Sequence, residues 1–194
     1  MIFLKTINEK IINEIEIKNS RFITVLIDIN DTTNIAEIIK QIKIDYPKAT
    51  HYCYAYVTEN YQKASDDGEP GGTAGLPMLN VLLKENMVNV LAIVIRYFGG
   101  IKLGAGGLVR AYTKSVKEAL DNANTTLVVK GYRVKIFTSY NEQKNLDYVL
   151  RNFEILAKEY QEKITYFVLI PKDELNIIDN FEYSILNEEY IKRN

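Results

Sequence analysis

This 194-residue chain has no tryptophan, one cysteine and one histidine. The lone Cys53 excludes an internal disulfide, and His51 and Cys53 together are two ligands, too few for a zinc site, so no metal is expected. Tryptophan is missing from a chain rich in lysine, isoleucine and asparagine, a compositional bias without functional content. Long hydrophobic runs are also lacking: VLAIVI (Val90–Ile95) is far too short to span a bilayer, so no membrane role is expected. There is no excess of charge of either sign, the net being −1, which excludes a polybasic nucleic-acid coat and confines any nucleic-acid contact to a local patch. No signal-peptide pattern opens the chain, and with one thiol this leads us to expect a reducing, cytoplasmic setting. Hydrophobic residues at 47% and charged residues at 25% are ordinary for a globular protein able to bury a core.

What the chain does have is glycine, concentrated in one place. Residues 96–112 read RYFGGIKLGAGGLVRAY, with Gly99, Gly100, Gly104, Gly106 and Gly107 lying between an apolar strand and a basic helix. Clustered glycine is costly unless the backbone needs positive φ or close approach. A strand, a glycine loop and a helix in that order aim backbone N–H groups outward, which suits an anion. Arg96, Lys102 and Arg110 add positive charge there. Along the helix, Leu108, Tyr112, Val116, Ala119 and Leu120 form an apolar stripe, while Arg110, Lys114 and Lys117 share the other face, as a docking ridge for phosphates or as a solvated surface. The loop is no nucleotide motif. Gly99 to Gly104 has P-loop spacing, but Ala105 and Gly106 stand where Lys and Ser/Thr are required, and Gly104-Ala-Gly106-Gly107 lacks the third glycine of a dinucleotide turn. No nucleotide cofactor is expected.

A second segment, Ser65-Asp-Asp-Gly-Glu-Pro70, carries Asp66, Asp67 and Glu69. Three readings stand: oxygen ligands for a hard cation or acid–base groups on a phosphorylated or peptide substrate, an Asx turn, or pairing with Arg96, Lys102 or Arg110. On HYCYAYVT, His51 and Cys53 share one face, as core or as a nucleophilic pair. Tyr52, Tyr54 and Tyr56 share the other, as core or as a base-stacking surface.

The rest of the chain fits an α+β protein of two domains. Residues 13–28 alternate around Lys18–Asn19–Ser20 as a hairpin, Asp31 is placed to cap a helix over 32–44, and helices are expected over 74–83 and 107–122. Gly131 marks the boundary between domains 1–130 and 131–194. Beyond it the element order is βαββαβ, a ferredoxin-like sandwich, closed by a strand near Ser184–Glu189. With no histidine, cysteine or further glycine there, chemistry is not expected in that half.

SDDGEPGGTAG (Ser65–Gly75), RYFGGIKLGAGGLVRAY (Arg96–Tyr112) and the His51-Tyr-Cys-Tyr-Ala-Tyr strand together resemble the IMPACT/YigZ family, in its bacterial two-domain form, over essentially the whole chain. Gly71 departs from the pattern, where a serine is expected. The resemblance implies a first domain like the second domain of a small-subunit ribosomal protein, with helices on a mixed sheet. It also implies a second domain like the last domain of elongation factor G. Both folds have relatives that touch RNA, and eukaryotic members act in translational control through an additional N-terminal domain. The resulting expectation is a non-enzymatic regulator near translation. It would bind nucleic acid or the ribosome at Arg96, Gly99, Gly100, Lys102, Gly104, Gly106, Gly107 and Arg110, extended by Lys114 and Lys117. A hydrolase using Asp66, Asp67 or Glu69, and a pure protein-docking module, are the alternatives.

Overall fold

A computed structural model describes residues 3–29 and 32–193. The chain divides into two compact units, 1–127 and 128–194.

In the first unit, β1 (Leu4–Ile7) leads to the hairpin β2 (Ile11–Ile17) and β3 (Ser20–Asp28). Lys18 and Asn19 make its two-residue turn at φ 48° and 63°, the left-handed pair that matches strand twist. Then follow α1 (Ile35–Asp45), β4 (His51–Val57), β5 (Gln62–Ser65), α2 (Gly75–Lys84), β6 (Val90–Tyr97) and α3 (Ala105–Asp121). The expected cap Asp31 lies outside the described residues. Five strands run in the order β2-β3-β6-β4-β5. Every pair among them is antiparallel, where the resemblance implied a mixed sheet. β1 lies outside this sheet and bridges Met87 through Lys5.

Strand β6 is central and covered on both faces, which is why it reads as an unbroken apolar run: Val90 to Ile95 are all at or near zero exposure. Leu91, Ile93 and Ile95 pack with Ile23, Val25, Ile35 and Ile42 beneath α1. Tyr52, Tyr54 and Tyr56 pack against that same cluster, so they are core flank and no base-stacking surface. On the opposite face, α3 is fixed to β3 by the buried Thr24–Ser115 hydroxyl pair at 2.5 Å and by Tyr112 edge-on to Phe22. The stripe Leu108, Tyr112, Val116, Ala119 and Leu120 is buried as its spacing requires.

The second unit follows its expected order. Strand β7 (Thr125–Thr138) runs unbroken through Gly131. After it come α4 (Gln143–Val149), β8 (Glu154–Tyr160), β9 (Ile164–Pro171), a 3₁₀ helix (Lys172–Ile178) and β10 (Glu182–Lys192), longer than the strand expected there. The antiparallel order β8-β9-β7-β10 is that of a ferredoxin-like sheet. Val134, Ile136, Leu146, Tyr166 and Val168 form its core.

Candidate functional site

The acidic loop folds on itself before it faces anything else. Asp66 Oδ1 accepts from the N–H groups of Ala74 (3.0 Å) and Gly75 (2.8 Å), and Oδ2 from Gly72 (2.8 Å), so a loop carboxylate caps α2 from outside the helix. Burial works to raise the Asp66 carboxyl, but the three donors outweigh it and hold the group below its ordinary value. Asp67, at φ 41°, accepts the Tyr52 N–H at 2.7 Å and lies 3.6 Å from Lys43 Nζ. The Asp67 carbonyl faces His51 Nδ1 at 2.9 Å; a carbonyl only accepts, so Nδ1 carries the proton.

Glu69 turns inward. Its Oε1 accepts from Arg96 Nη1 at 2.5 Å and from the Tyr112 hydroxyl at 2.8 Å, and Oε2 lies 3.8 Å from His51 Nε2. Both side chains of the ion pair are almost fully buried, at 3% and 6% exposure. The Arg96 guanidinium also lies against the Phe22 and Phe98 rings, 5.4 and 5.5 Å from their centroids, and reaches Ser20 Oγ at 3.5 Å. The Cys53 thiol stands 2.9 Å from the Asp66 carbonyl and 3.3 Å from the Tyr112 oxygen. Burial pushes that thiol up to about 12 and also raises the Tyr112 phenol, so neither supplies an anion at neutral pH. A Cys53–His51 nucleophilic pair is therefore absent: the thiol is directed at a carbonyl and a phenol.

The pairing reading of the acidic loop thus holds for Glu69 with Arg96, and the turn reading for Asp66. Sequence reasoning missed Tyr112, Thr50 and Ser20. Tyr112 counted only as core, although its position four residues after Leu108 on the buried stripe left its hydroxyl in need of a partner. Thr50 Oγ1 accepts the Phe98 N–H at 3.1 Å and Ser20 Oγ accepts the Gly99 N–H at 3.1 Å, so both fix the start of the glycine loop.

Within that loop, a Cβ at Gly99 would lie 2.1 Å from the Asn19 backbone, a close approach only glycine permits. Gly100 takes φ 85° and Gly104 φ 71°. Gly104 is the N-cap of α3 and among the described residues no side chain caps that end, which leaves the first N–H groups of a 17-residue helix open to a ligand. Gly106 and Gly107 form its first turn, Gly107 against Leu103. A cavity of about 350 Å³ opens here, walled by His51, Glu69, Arg96, Phe98, Lys102 and Gly104. Arg110, one turn into the helix, is exposed beside Gly106. The expected ridge breaks up beyond it. Lys114 pairs with Glu118 at 3.5 Å, and Lys117 with Glu85 at 3.4 Å and with Asp121. Among the described residues no group of three or more His, Cys, Asp or Glu is placed to hold a metal, and no helix is long and apolar enough to cross a membrane.

This locked acidic loop, stapled to a glycine turn through Glu69 and Arg96, occupies the stretch that the Impact N-terminal domain family matches, residues 18–120. The chain belongs to the IMPACT family. It is 40% identical over 190 residues to the IMPACT family member YvyE of Bacillus subtilis, covering 94% of this chain and 86% of that one. To YigZ of Escherichia coli it is 34% identical over 163 residues, with 80% of each chain covered. A crystal structure described only as that of a hypothetical protein matches 97% of this chain and all of its own at TM-score 0.69 and 29% identity. In this IMPACT family chain the departure at Gly71 is structurally mild, since a Cβ there would meet nothing within 4 Å.

Proposed function

We propose that this protein is a non-enzymatic regulator associated with translation that binds RNA, free or in the ribosome, through the N-terminus of α3. The observation that carries the reading is that open helix end. Gly104 caps α3 without a side chain, and Lys102 and Arg110 flank it with no carboxylate partner among the described residues. Uncapped N–H groups and the positive end of the helix dipole favour a phosphate oxygen, and two cations within reach add to that field. The hydrolase reading has less support, because Asp66 is saturated by backbone donors and Glu69 by Arg96 and Tyr112. Neither carboxylate is left to move a proton.

Binding of the purified chain to labelled single-stranded and duplex RNA across a salt series tests this. The reading expects an affinity that falls with salt and is weakened at least tenfold in Arg110→Glu. No binding at low salt would overturn it and turn attention to a protein partner at the same loops.

A further inference from the structure

The second unit, whose sequence offered no chemistry, carries an open sheet face that does. Along β7, Val134 and Ile136 enter the core, as do Tyr166 and Val168 on the neighbouring β9. Lys135, Phe137 and Phe167 alternate with them and so stand on the opposite face. Register makes them neighbours: Lys135 lies directly across from Phe167, and Phe137 is one diagonal step away, opposite Thr165. By strand geometry the two rings are rooted about 7–8 Å apart. Glu182 on β10 lies across from Phe137, and the other two flanking residues are small. Ser184 flanks Lys135 on β10, and Ala157 flanks Phe167 on β8. Both rings are half-buried and lie outside the residues packed on the core, on β7 and β9, the inner strands of the order β8-β9-β7-β10. Lys135 Nζ sits over both, 5.1 Å from the Phe137 centroid and 5.7 Å from that of Phe167, and has no carboxylate partner among the described residues.

We infer that Phe137 and Phe167 form a stacking platform for two bases of single-stranded RNA, with Lys135 transferring from the rings to a phosphate as the bases arrive. Aromatic side chains on the central strands of such a sheet are a general solution for holding unpaired bases, since every base offers a π-face. Surrounding charge sets the path of the strand. On the β10 side, Glu182 is paired with Lys163 at 3.0 Å and Glu189 with Arg133 at 2.9 Å, so that side is neutralised. On β8, Glu154 and Glu159 face the same surface opposite Leu169 and Thr165, and they steer a phosphate backbone toward β10. The inference takes RNA as its ligand class from the reading above and uses none of the α3 residues, so the two fail separately.

The experiment is fluorescence anisotropy of labelled oligo-uridylate with the full chain, its Phe137→Leu/Phe167→Leu variant and Arg110→Glu. Leucine keeps the apolar area and removes the π-face. The double variant should bind about tenfold or more weakly with an unchanged thermal melt, while Arg110→Glu retains a ring-dependent remainder. Should the double variant fold poorly, Lys135→Glu at the same surface must weaken binding likewise. Wild-type affinity in the leucine and Lys135 variants would overturn the platform even if Arg110→Glu abolishes binding. Such a face would then be a protein-packing surface. No oligo-uridylate binding by the full chain would overturn both readings together.

Discussion

Arg96 and Glu69, 27 residues apart, meet at 2.5 Å with both side chains out of water, and this one contact joins the acidic loop to the strand that enters the glycine loop. A buried pair of this kind is costly to break from one side, because the remaining charge keeps its desolvation and loses its partner. Glu69→Ala should lower unfolding free energy by about 3–5 kcal/mol, with the Tyr112 hydroxyl also left unpaired. The double variant Glu69→Leu/Arg96→Met should be less destabilised than Arg96→Met alone, since it leaves no orphan charge. Urea denaturation of the three variants checks both statements. Additive losses would show that the pair is not the connection described.

Asp66 gives a pH signature. Its carboxyl is held below the ordinary value of 3.8 in the folded state, so it stabilises the fold above that value and the contribution disappears as pH falls through the lower, folded value. Asp66→Asn turns one oxygen into a donor facing donors, and should cost about 1–2 kcal/mol at neutral pH. Below pH 3.8 the gap between wild type and variant should close, because protonated Asp66 has also lost its charge. Thermal melts from neutral to acid pH read this directly. A gap independent of pH would remove the carboxylate cap as its cause.

Cys53 should be silent in the native protein. With its thiol pushed up to about 12, the thiolate fraction at neutral pH is negligible, and its sulfur has no exposed path. Native protein should react with a thiol-specific disulfide reagent only after denaturant is added, giving one equivalent. Rapid native labelling would contradict the hydrogen-bonded burial described.

Two glycines of the acidic loop should separate cleanly. A Cβ at Gly75 would stand 2.6 Å from the Ser65 backbone nitrogen, so Gly75→Ala must push α2 from β5, a loss of about 1–3 kcal/mol. Gly71→Ser enters open space and should change stability by less than about 0.5 kcal/mol. Chemical denaturation of the pair tests whether loop packing, rather than composition, fixes these positions.

Much of this was legible from residue order, and the failures have identifiable causes. The glycine loop, the α3 stripe and the βαββαβ order rest on local periodicity, which sequence carries directly. Partners from afar are not carried: Glu69 takes Tyr112, 43 positions on, and three readings of the acidic loop stayed open until the fold brought them together. At Gly131, the expected boundary, β7 continues with its backbone paired to Pro171 and Glu189 on either side, pairings that only the register shows. Of the two readings of Lys114 and Lys117, a docking ridge or a solvated face, the local sequence bears on the second. Glu118 and Asp121 each stand four residues on, the spacing at which a helix neutralises its own cations. Phe137 and Phe167 were passed over because two apolar residues on separate strands share a face only once register is known.

That neutralisation separates the cations around α3 into two kinds. Lys102 and Arg110 have no carboxylate partner among the described residues, so replacing either removes charge that a phosphate can use. Lys114 and Lys117 already sit with Glu118, Glu85 and Asp121, and taking them away leaves those carboxylates in place of a neutral patch. Lys102→Ala and Arg110→Ala should each reduce the slope of log affinity for single-stranded RNA against log salt by about 0.7, the value of one phosphate contact. Lys114→Ala and Lys117→Ala should leave that slope unchanged and move affinity by no more than about twofold. Equal slope changes at all four positions would mean that a diffuse basic face, and not the open end of α3, receives the backbone.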